Sequence, residues 1–509
     1  MARPQEPIQP VESHSAAEER FNRRRGTVGL VAGPILFAFL LFWPTPSLTP
    51  EAHQLSAIMA LVVTLWITEA LPIPITALLG PALAVLLRVA PVREAFAPFA
   101  DPIIFLFIGS FMLAEAMFVH GLDRRIAFTA LSFRWVGRSP TRVLAVYGGV
   151  TAGLSMWISN TATTAMMFPI GMSIIAHLRE SQPSAGRDID RFAMAMMLLA
   201  AFAASIGGIG TPVGTPPNLI GMGVLERTAG IKISFFNWMI VGVPLVILMF
   251  ASAVAYFHFM AIRGRHLHTD SADLALDELK KLGRLSRGQW NVLVAFALTV
   301  ALWLTPGVLA ITGLGDTPFA KAFNAAVPEA VAAVAGALLL FMLPVDWSQR
   351  RFTITWNEAS RIEWGIILLF GGGLSLGGLA FSTGLAETVG RGLLDWVPVR
   401  SPLTFTMLFT ALGIVLTEVS SNTAAANMVV PIAIAVSHAA GMSPLEPALG
   451  ATLGCSMAFM LPISTPPNAI VYSSGYVPIT AMMRHGVVID VIAFVLIVVV
   501  VTLLGGLVA

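Results

Sequence analysis

Charge is scarce: only 11% of the 509 residues are Asp, Glu, Lys or Arg, whereas a water-soluble domain carries about a quarter. Water is therefore excluded as the solvent for most of the chain. Cysteine is almost absent, and Cys455 alone excludes an intramolecular disulfide framework and reads as a buried thiol. The formal net charge of +2 points to no nucleic-acid or acidic partner. There is no HExxH, no GxxxxGK[ST] and no clustered Cys/His set, and the pair His266 and His268 in a charged loop is a poor metal candidate. No motif links a histidine to a nucleophile such as Ser159, so the chain reads as a non-enzyme.

Apolar length is what the chain has. Hydrophobic residues make up 56% and mean hydropathy is +0.81. Stretches long enough to span a bilayer as helices run over 27–45, 54–88 (broken at Pro72 and Pro74), 141–178, 192–220, 236–262, 289–311, 326–344, 404–438 and 486–508. They are continuously apolar rather than alternating, which excludes a transmembrane β-barrel. The expected fold class is an all-α polytopic membrane protein with about eleven transmembrane helices.

Basic residues collect at Arg23, Arg24 and Arg25, at Arg263 and Arg265, and at Lys280, Lys281, Arg284 and Arg287. Basic loops stay cytoplasmic, so the N-terminus is expected inside, with 263–288 a cytoplasmic linker or interfacial helix. The hydrophobic run after the three arginines ends at Trp43-Pro44 without a small-residue cleavage site and reads as a retained helix, not a signal peptide. The first 22 residues, rich in Pro, Glu, Gln and Ser, are expected to be disordered.

Three motifs occur twice, in the same order. Phe107 and Gly121 match Phe370 and Gly384 at a spacing of 263; Ser159-Asn160-Thr161-Ala162 and Pro169 match Ser421-Asn422-Thr423-Ala424 and Pro431 at 262; Thr215-Pro216-Pro217-Asn218 matches Thr465-Pro466-Pro467-Asn468 at 250. Two homologous halves follow. The expected organisation is a 1–26 cytoplasmic tail, 27–98 scaffold helices, a 99–262 first repeat, the 263–288 linker, 289–360 connecting scaffold helices and a 361–509 second repeat.

Each motif disrupts a helix for a chemical reason. Ser and Asn compete with the backbone for hydrogen bonds and are costly in an apolar span unless paired. Two prolines remove two amide donors and force the preceding residue out of helical geometry. Gly207, Gly208, Gly210 and Gly214 precede the first Thr-Pro-Pro-Asn, and Ser464 stands where Gly214 would recur. Such breaks in paired repeats gather at the bilayer midplane, where half-helix N-termini face an anion and freed carbonyls face sodium. Oxygen-only donors suit a hard cation. Ser155 precedes Ser159, and Thr417 precedes Ser421, by one helical turn, so each pair is expected to share a helical face. Neither motif contains Lys or Arg, so a dianion there depends on Asn and Thr donors, helix dipoles and bound sodium.

These motifs, with Thr68-Glu69-Ala70-Leu71-Pro72 and Leu369-Phe370-Gly371-Gly372-Gly373, resemble those of the divalent anion/sodium symporter family, which includes bacterial sodium-dicarboxylate transporters. The resemblance covers most of the chain beyond the N-terminal tail. It implies two inverted repeats, each with a re-entrant hairpin and a helix broken at Ser-Asn-Thr, in a homodimer of the inner membrane that works as an elevator. It implies one sodium site from Ser155, Ser159, Asn160 and the Gly214 backbone, and another from Thr417, Ser421, Asn422 and the Ser464 backbone. It further implies that Asn160, Thr161, Thr215, Asn422, Thr423, Thr465 and Pro466 hold the carboxylates of a small dianion, a C4-dicarboxylate first, with citrate or sulfate as alternatives. Sodium-independent exchange is the competing mode. Glu69, Glu115 and Glu418, inside or near spans, are either scaffold or proton-coupling groups. Met166, Met167, Met194, Met196 and Met197 read as packing residues.

Overall fold

A computed structural model describes residues 16–137, 139–263, 271–395 and 401–508. The pair His266 and His268 lies outside the described residues. Among these residues the only strands are Pro344–Asp346 and Arg351–Phe352, which form a small antiparallel ribbon; helices make up nearly everything else. Among the described residues ten helices are long and apolar enough to cross a membrane, or eleven if the bent pair Pro318–Ala326 and Glu329–Met342 counts as one. A helix satisfies its own backbone donors and acceptors, which lipid cannot do, so the chain is a multi-pass membrane protein. The Gly-bearing segments Pro102–Val119 and Trp364–Ser382, read from sequence only as motifs, are themselves spans. The first helix begins at Ala16, so residues 16–22 are helical where composition suggested disorder.

The duplicated motifs fall on matching elements. Each half runs from a span (Pro102–Val119; Trp364–Ser382) into a short helix (Leu122–Leu131; Leu385–Leu394), entered through Gly121 and Gly384 at φ 61° and 79°. Left-handed backbone penalises any Cβ, which accounts for glycine at both positions. Hairpin 1 (Pro140–Ser155 and Asn160–Ser181) and hairpin 2 (Pro402–Val419 and Asn422–Ala439) follow. Next come broken span 1 (Gly186–Gly208 and Pro216–Ala229) and broken span 2 (Leu445–Gly454 and Pro466–Tyr472), and then the closing helices Phe235–Phe257 and Ile479–Leu504.

Contacts between the halves are reciprocal. The second arm of broken span 1 packs on hairpin 2 and broken span 2, while the second arm of broken span 2 packs on hairpin 1 and broken span 1. Phe107 and Phe370, equivalent positions, meet edge-on with ring centroids 5.5 Å apart. Within each half, hairpin and broken span approach through small residues: a Cβ on Gly207 would lie 2.1 Å from the Ala152 carbonyl, and one on Gly454 would lie 2.6 Å from that of Thr410. Close backbone approach is how helices associate in lipid, where apolar burial gives no net drive.

The scaffold helices attach unevenly. Pro50–Thr68 and Ile73–Leu86 bury Leu55, Ile58, Val62 and Trp66 with Leu369, Leu376 and Leu379 of the second half. Helices Arg287–Ile311 and Glu329–Met342 pack on Pro102–Val119 of the first. The linker contains the helix Ser271–Lys281, charged on one side, with Ala272 and Ala275 buried and Lys280 and Lys281 paired with Asp277 and Glu278.

Candidate functional site

Both Ser-Asn-Thr motifs sit at the tips of hairpins. Tyr147 Oη donates to the Met167 carbonyl at 2.9 Å, residues equidistant from the tip, so the arms of hairpin 1 run antiparallel. This corrects the expectation of a helix broken at Ser-Asn-Thr: the chain reverses there, and the breaks in through-running spans are at Thr-Pro-Pro-Asn. It also corrects the shared-face expectation, because Ser155 ends one arm while Ser159 caps the other, accepting from the Ala162 amide at 3.3 Å. Likewise Thr417 lies on the first arm of hairpin 2, and Ser421 caps the second through the Ala424 amide at 3.4 Å. A serine N-cap satisfies an amide that the helix leaves free, so the motif's own chemistry makes the turn.

Across each tip the hydroxyl meets the asparagine. Ser155 Oγ donates to Asn160 Oδ1 at 2.7 Å, and Thr417 Oγ1 donates to Asn422 Oδ1 at 2.6 Å. Gly208 accommodates Asn160, since a Cβ there would lie 2.4 Å from Oδ1. Gly214 is enclosed by carbonyls: its Cβ would fall 2.5 Å from the Gly208 oxygen and 2.9 Å from those of Ser155 and Met156. Converging carbonyls and a hydroxyl make an oxygen-only cradle of the type hard cations take. In the second half Thr417 Oγ1 also contacts the Cys455 carbonyl at 2.8 Å.

Asparagines of the Thr-Pro-Pro-Asn motifs hold the unwound segments open. Asn218 Nδ2 donates to the carbonyls of Gly208 at 2.9 Å and Thr211 at 2.7 Å; Asn468 Nδ2 donates to those of Ala458 and Leu461, both at 3.0 Å. Every partner obeys the 250-residue spacing. Both side chains are fully buried, so each supplies donors where water cannot. Prolines 216 and 466 stand at the first helical position beyond each break, where a missing amide costs nothing.

Exposure separates the candidate residues. Ser155, Thr417, Gly214 and Ser464 are buried, as are Thr215, Thr423 and Thr465, whereas Ser159, Asn160, Thr161, Ser421 and Asn422 are half-buried and Pro466 is exposed. Ser155 is brought to Asn160 and to Gly214, and Thr417 to Asn422; no hydrogen bond among the described residues joins the Asn160 tip to the Asn422 tip. N-termini of Asn160–Ser181 and Asn422–Ala439 carry the positive helix-dipole ends at the tips.

Four further sets of contacts are added by the tertiary structure, two of them on Glu418 and Glu69, which the sequence singles out without naming their partners. Thr211 Oγ1 donates to the Met156 carbonyl and ties broken span 1 to hairpin 1. Glu418, buried, accepts from the amides of Phe459 at 2.6 Å and Met460 at 2.9 Å and from Ser464 Oγ at 2.7 Å, which ties hairpin 2 to the second unwound segment. Buried Asp490 faces it from the last helix. Arg25 Nη2 pairs with Glu69 Oε2 at 2.6 Å while Nη1 reaches the Val419 carbonyl at 3.2 Å, bringing a cation from the first helix to hairpin 2. Glu69 thus caps the end of Pro50–Thr68, at φ 48°, instead of lying within a span. Glu115 lies half-buried in Pro102–Val119. Local spacing carries no signal for these contacts, whose partners lie 41 to 394 residues apart.

The model of the sodium:sulfate symporter transmembrane region matches residues 25–509. The chain belongs to this family. Among curated relatives, the sodium-dependent dicarboxylate transporter SdcS of Staphylococcus saprophyticus is 35% identical over 480 residues, covering 93% of this chain and 90% of the relative. SdcS of Staphylococcus aureus is 35% identical over 479 residues with the same coverage. Two solved structures share the fold of this symporter-family chain at 12% identity. The Alcanivorax borkumensis YdaH transporter has a TM-score of 0.55 over 95% of this chain and 96% of that one. Neisseria gonorrhoeae MtrF, of a class of antimetabolite efflux pumps, has 0.52 over 82% and 83%. The relatives are transporters, in keeping with the non-enzyme reading.

Proposed function

We propose that this chain is a sodium-coupled importer of C4-dicarboxylates such as succinate, malate or fumarate. It acts in a bacterial inner membrane as a homodimer, with its N-terminus in the cytoplasm. The observation that carries the reading is the pair of hairpin tips, each presenting a half-exposed Asn whose side-chain oxygen is bound by a buried hydroxyl. No lysine or arginine belongs to either tip, so two carboxylates held there rely on Asn and Thr donors, the helix-dipole ends and a bound cation. Sodium in the Ser155, Ser159, Asn160 and Gly214 cradle, and in its counterpart of Thr417, Ser421, Asn422 and Ser464, supplies that charge. The names of the SdcS relatives support both cation and substrate.

In this mechanism Asn160, Thr161 and Thr215 bind one carboxylate, and Asn422, Thr423, Thr465 and Pro466 bind the other. Sodium binds first, because it orders the two hairpin tips and creates the positive potential that the dianion meets. Neutralisation lowers the cost of moving a dianion through a low-dielectric interior. The reciprocal packing of hairpins and broken spans supports two inverted repeats moving as one elevator body against the scaffold helices.

Uptake of radiolabelled succinate into proteoliposomes tests the reading. Sodium-driven accumulation into empty vesicles is expected, with Asn160→Ala and Asn422→Ala each abolishing it. Uptake that needs internal succinate but no sodium would establish exchange instead. Near wild-type uptake by both variants would overturn the site assignment.

A further inference from the structure

The end of helix Glu329–Met342 and the ribbon that follows line an open cavity of about 400 Å³, with apolar Phe341, Phe352 and Ile354 and polar Gln349, Arg350 and Arg351 in its wall. We propose that this cavity seats one anionic phospholipid of the bilayer, its phosphate on Arg350 and Arg351 and the upper part of an acyl chain on Phe341 and Phe352.

The position suits an amphiphile. Leu338 and Met342, on the same span, are 55% and 70% exposed, an apolar face meant for lipid tails, and Trp347 and Trp356 beside the ribbon are 72% and 60% exposed. Exposed tryptophans next to the end of a span are anchors at the headgroup level. A guanidinium pair at that level matches a phosphodiester in charge and in its planar array of donors, and basic pockets between spans take anionic headgroups.

The two arginines are free for such a ligand. Neither forms an ion pair among the described residues. Asp346, the carboxylate of the ribbon, is occupied by Ser348 Oγ at 2.6 Å and the Ser348 and Gln349 amides, and Arg351 acts on it only through space. Glu358 is occupied by the Thr355 amide and hydroxyl, both at 2.8 Å.

The support is rigid. Thr353 Oγ1 donates to the Leu343 carbonyl and accepts from Asn291 Nδ2, both at 2.8 Å, and its carbonyl meets His120 Nε2 at 2.7 Å, which fastens the ribbon to two neighbouring spans. Arg350 is held at φ 49°, a left-handed conformation that a non-glycine residue adopts at a cost. A strained cation presented on an anchored turn is what a preformed anion seat looks like.

The test is thermal unfolding of the purified full-length protein in detergent with added phosphatidylglycerol, phosphatidylcholine or inorganic phosphate, alongside native mass spectrometry. The expected result is a midpoint raised by about 2 °C with phosphatidylglycerol alone, and one retained lipid, both lost in the Arg350→Asn/Arg351→Gln double variant. Asparagine tolerates the left-handed backbone, and Arg351→Gln alone serves if the double variant is unstable. An equal rise with phosphatidylcholine, a rise with inorganic phosphate, or an unchanged phosphatidylglycerol response in the variant would overturn the proposal.

Discussion

Replacing Gly214 by alanine inserts a methyl carbon 2.5 Å from the Gly208 oxygen and 2.9 Å from those of Ser155 and Met156. All three neighbours are backbone, so none can swing aside as a flexible side chain would. Overpacking of this size costs about 1–3 kcal/mol. At about 1.4 kcal/mol per factor of ten, sodium affinity should weaken about 5- to 150-fold if these carbonyls form the cation cradle. Gly153→Ala is the control, because nothing lies within 4 Å of a Cβ there. The assay is succinate uptake into proteoliposomes over a sodium titration, with thermal unfolding of both variants to establish folding. Gly214→Ala should raise the sodium concentration for half-maximal uptake while Gly153→Ala leaves it unchanged. A folded Gly214→Ala protein with the wild-type sodium dependence would refute the cradle.

Asn218→Ala and Asn468→Ala each strip two buried carbonyls of their donor, so each should destabilise the protein by about 1–3 kcal/mol. The two melting-point losses should be similar, and a loss confined to one half would contradict the structural equivalence of the unwound segments. The Arg25–Glu69 pair is partly exposed, so a double-mutant cycle of Arg25→Ala and Glu69→Ala should return about 0.5–1 kcal/mol of coupling, falling as salt is added. Zero coupling at low salt would remove the pair as a contributor to stability.

Much of this protein is legible in its sequence because lipid leaves so few options. A continuous apolar run must be helical, and a polar or proline-bearing interruption must be satisfied by something specific. The spacings of 263, 262 and 250 residues therefore located the elements at the centre of the molecule. One-turn spacing puts Ser159 and Ser421 on the helices of Ser155 and Thr417, but each serine caps a new helix and so starts a reversal. Whether a break bends, unwinds or reverses a chain depends on what the following arm packs against. For hairpin 1 that partner is its own first arm, as Tyr147 and Met167 record.

Membrane class, duplicated halves and the identity of the motif residues follow from the sequence by itself, since each rests on solvent and on backbone hydrogen bonding within a few residues. Tertiary structure alone decided that Asn160 answers to Ser155, that carbonyls converge on Gly214, that Glu418 clamps the second unwound segment and that Arg25 reaches hairpin 2. The first is made across a tight turn and the others join distant stretches of chain through packing in three dimensions, and no local periodicity encodes them.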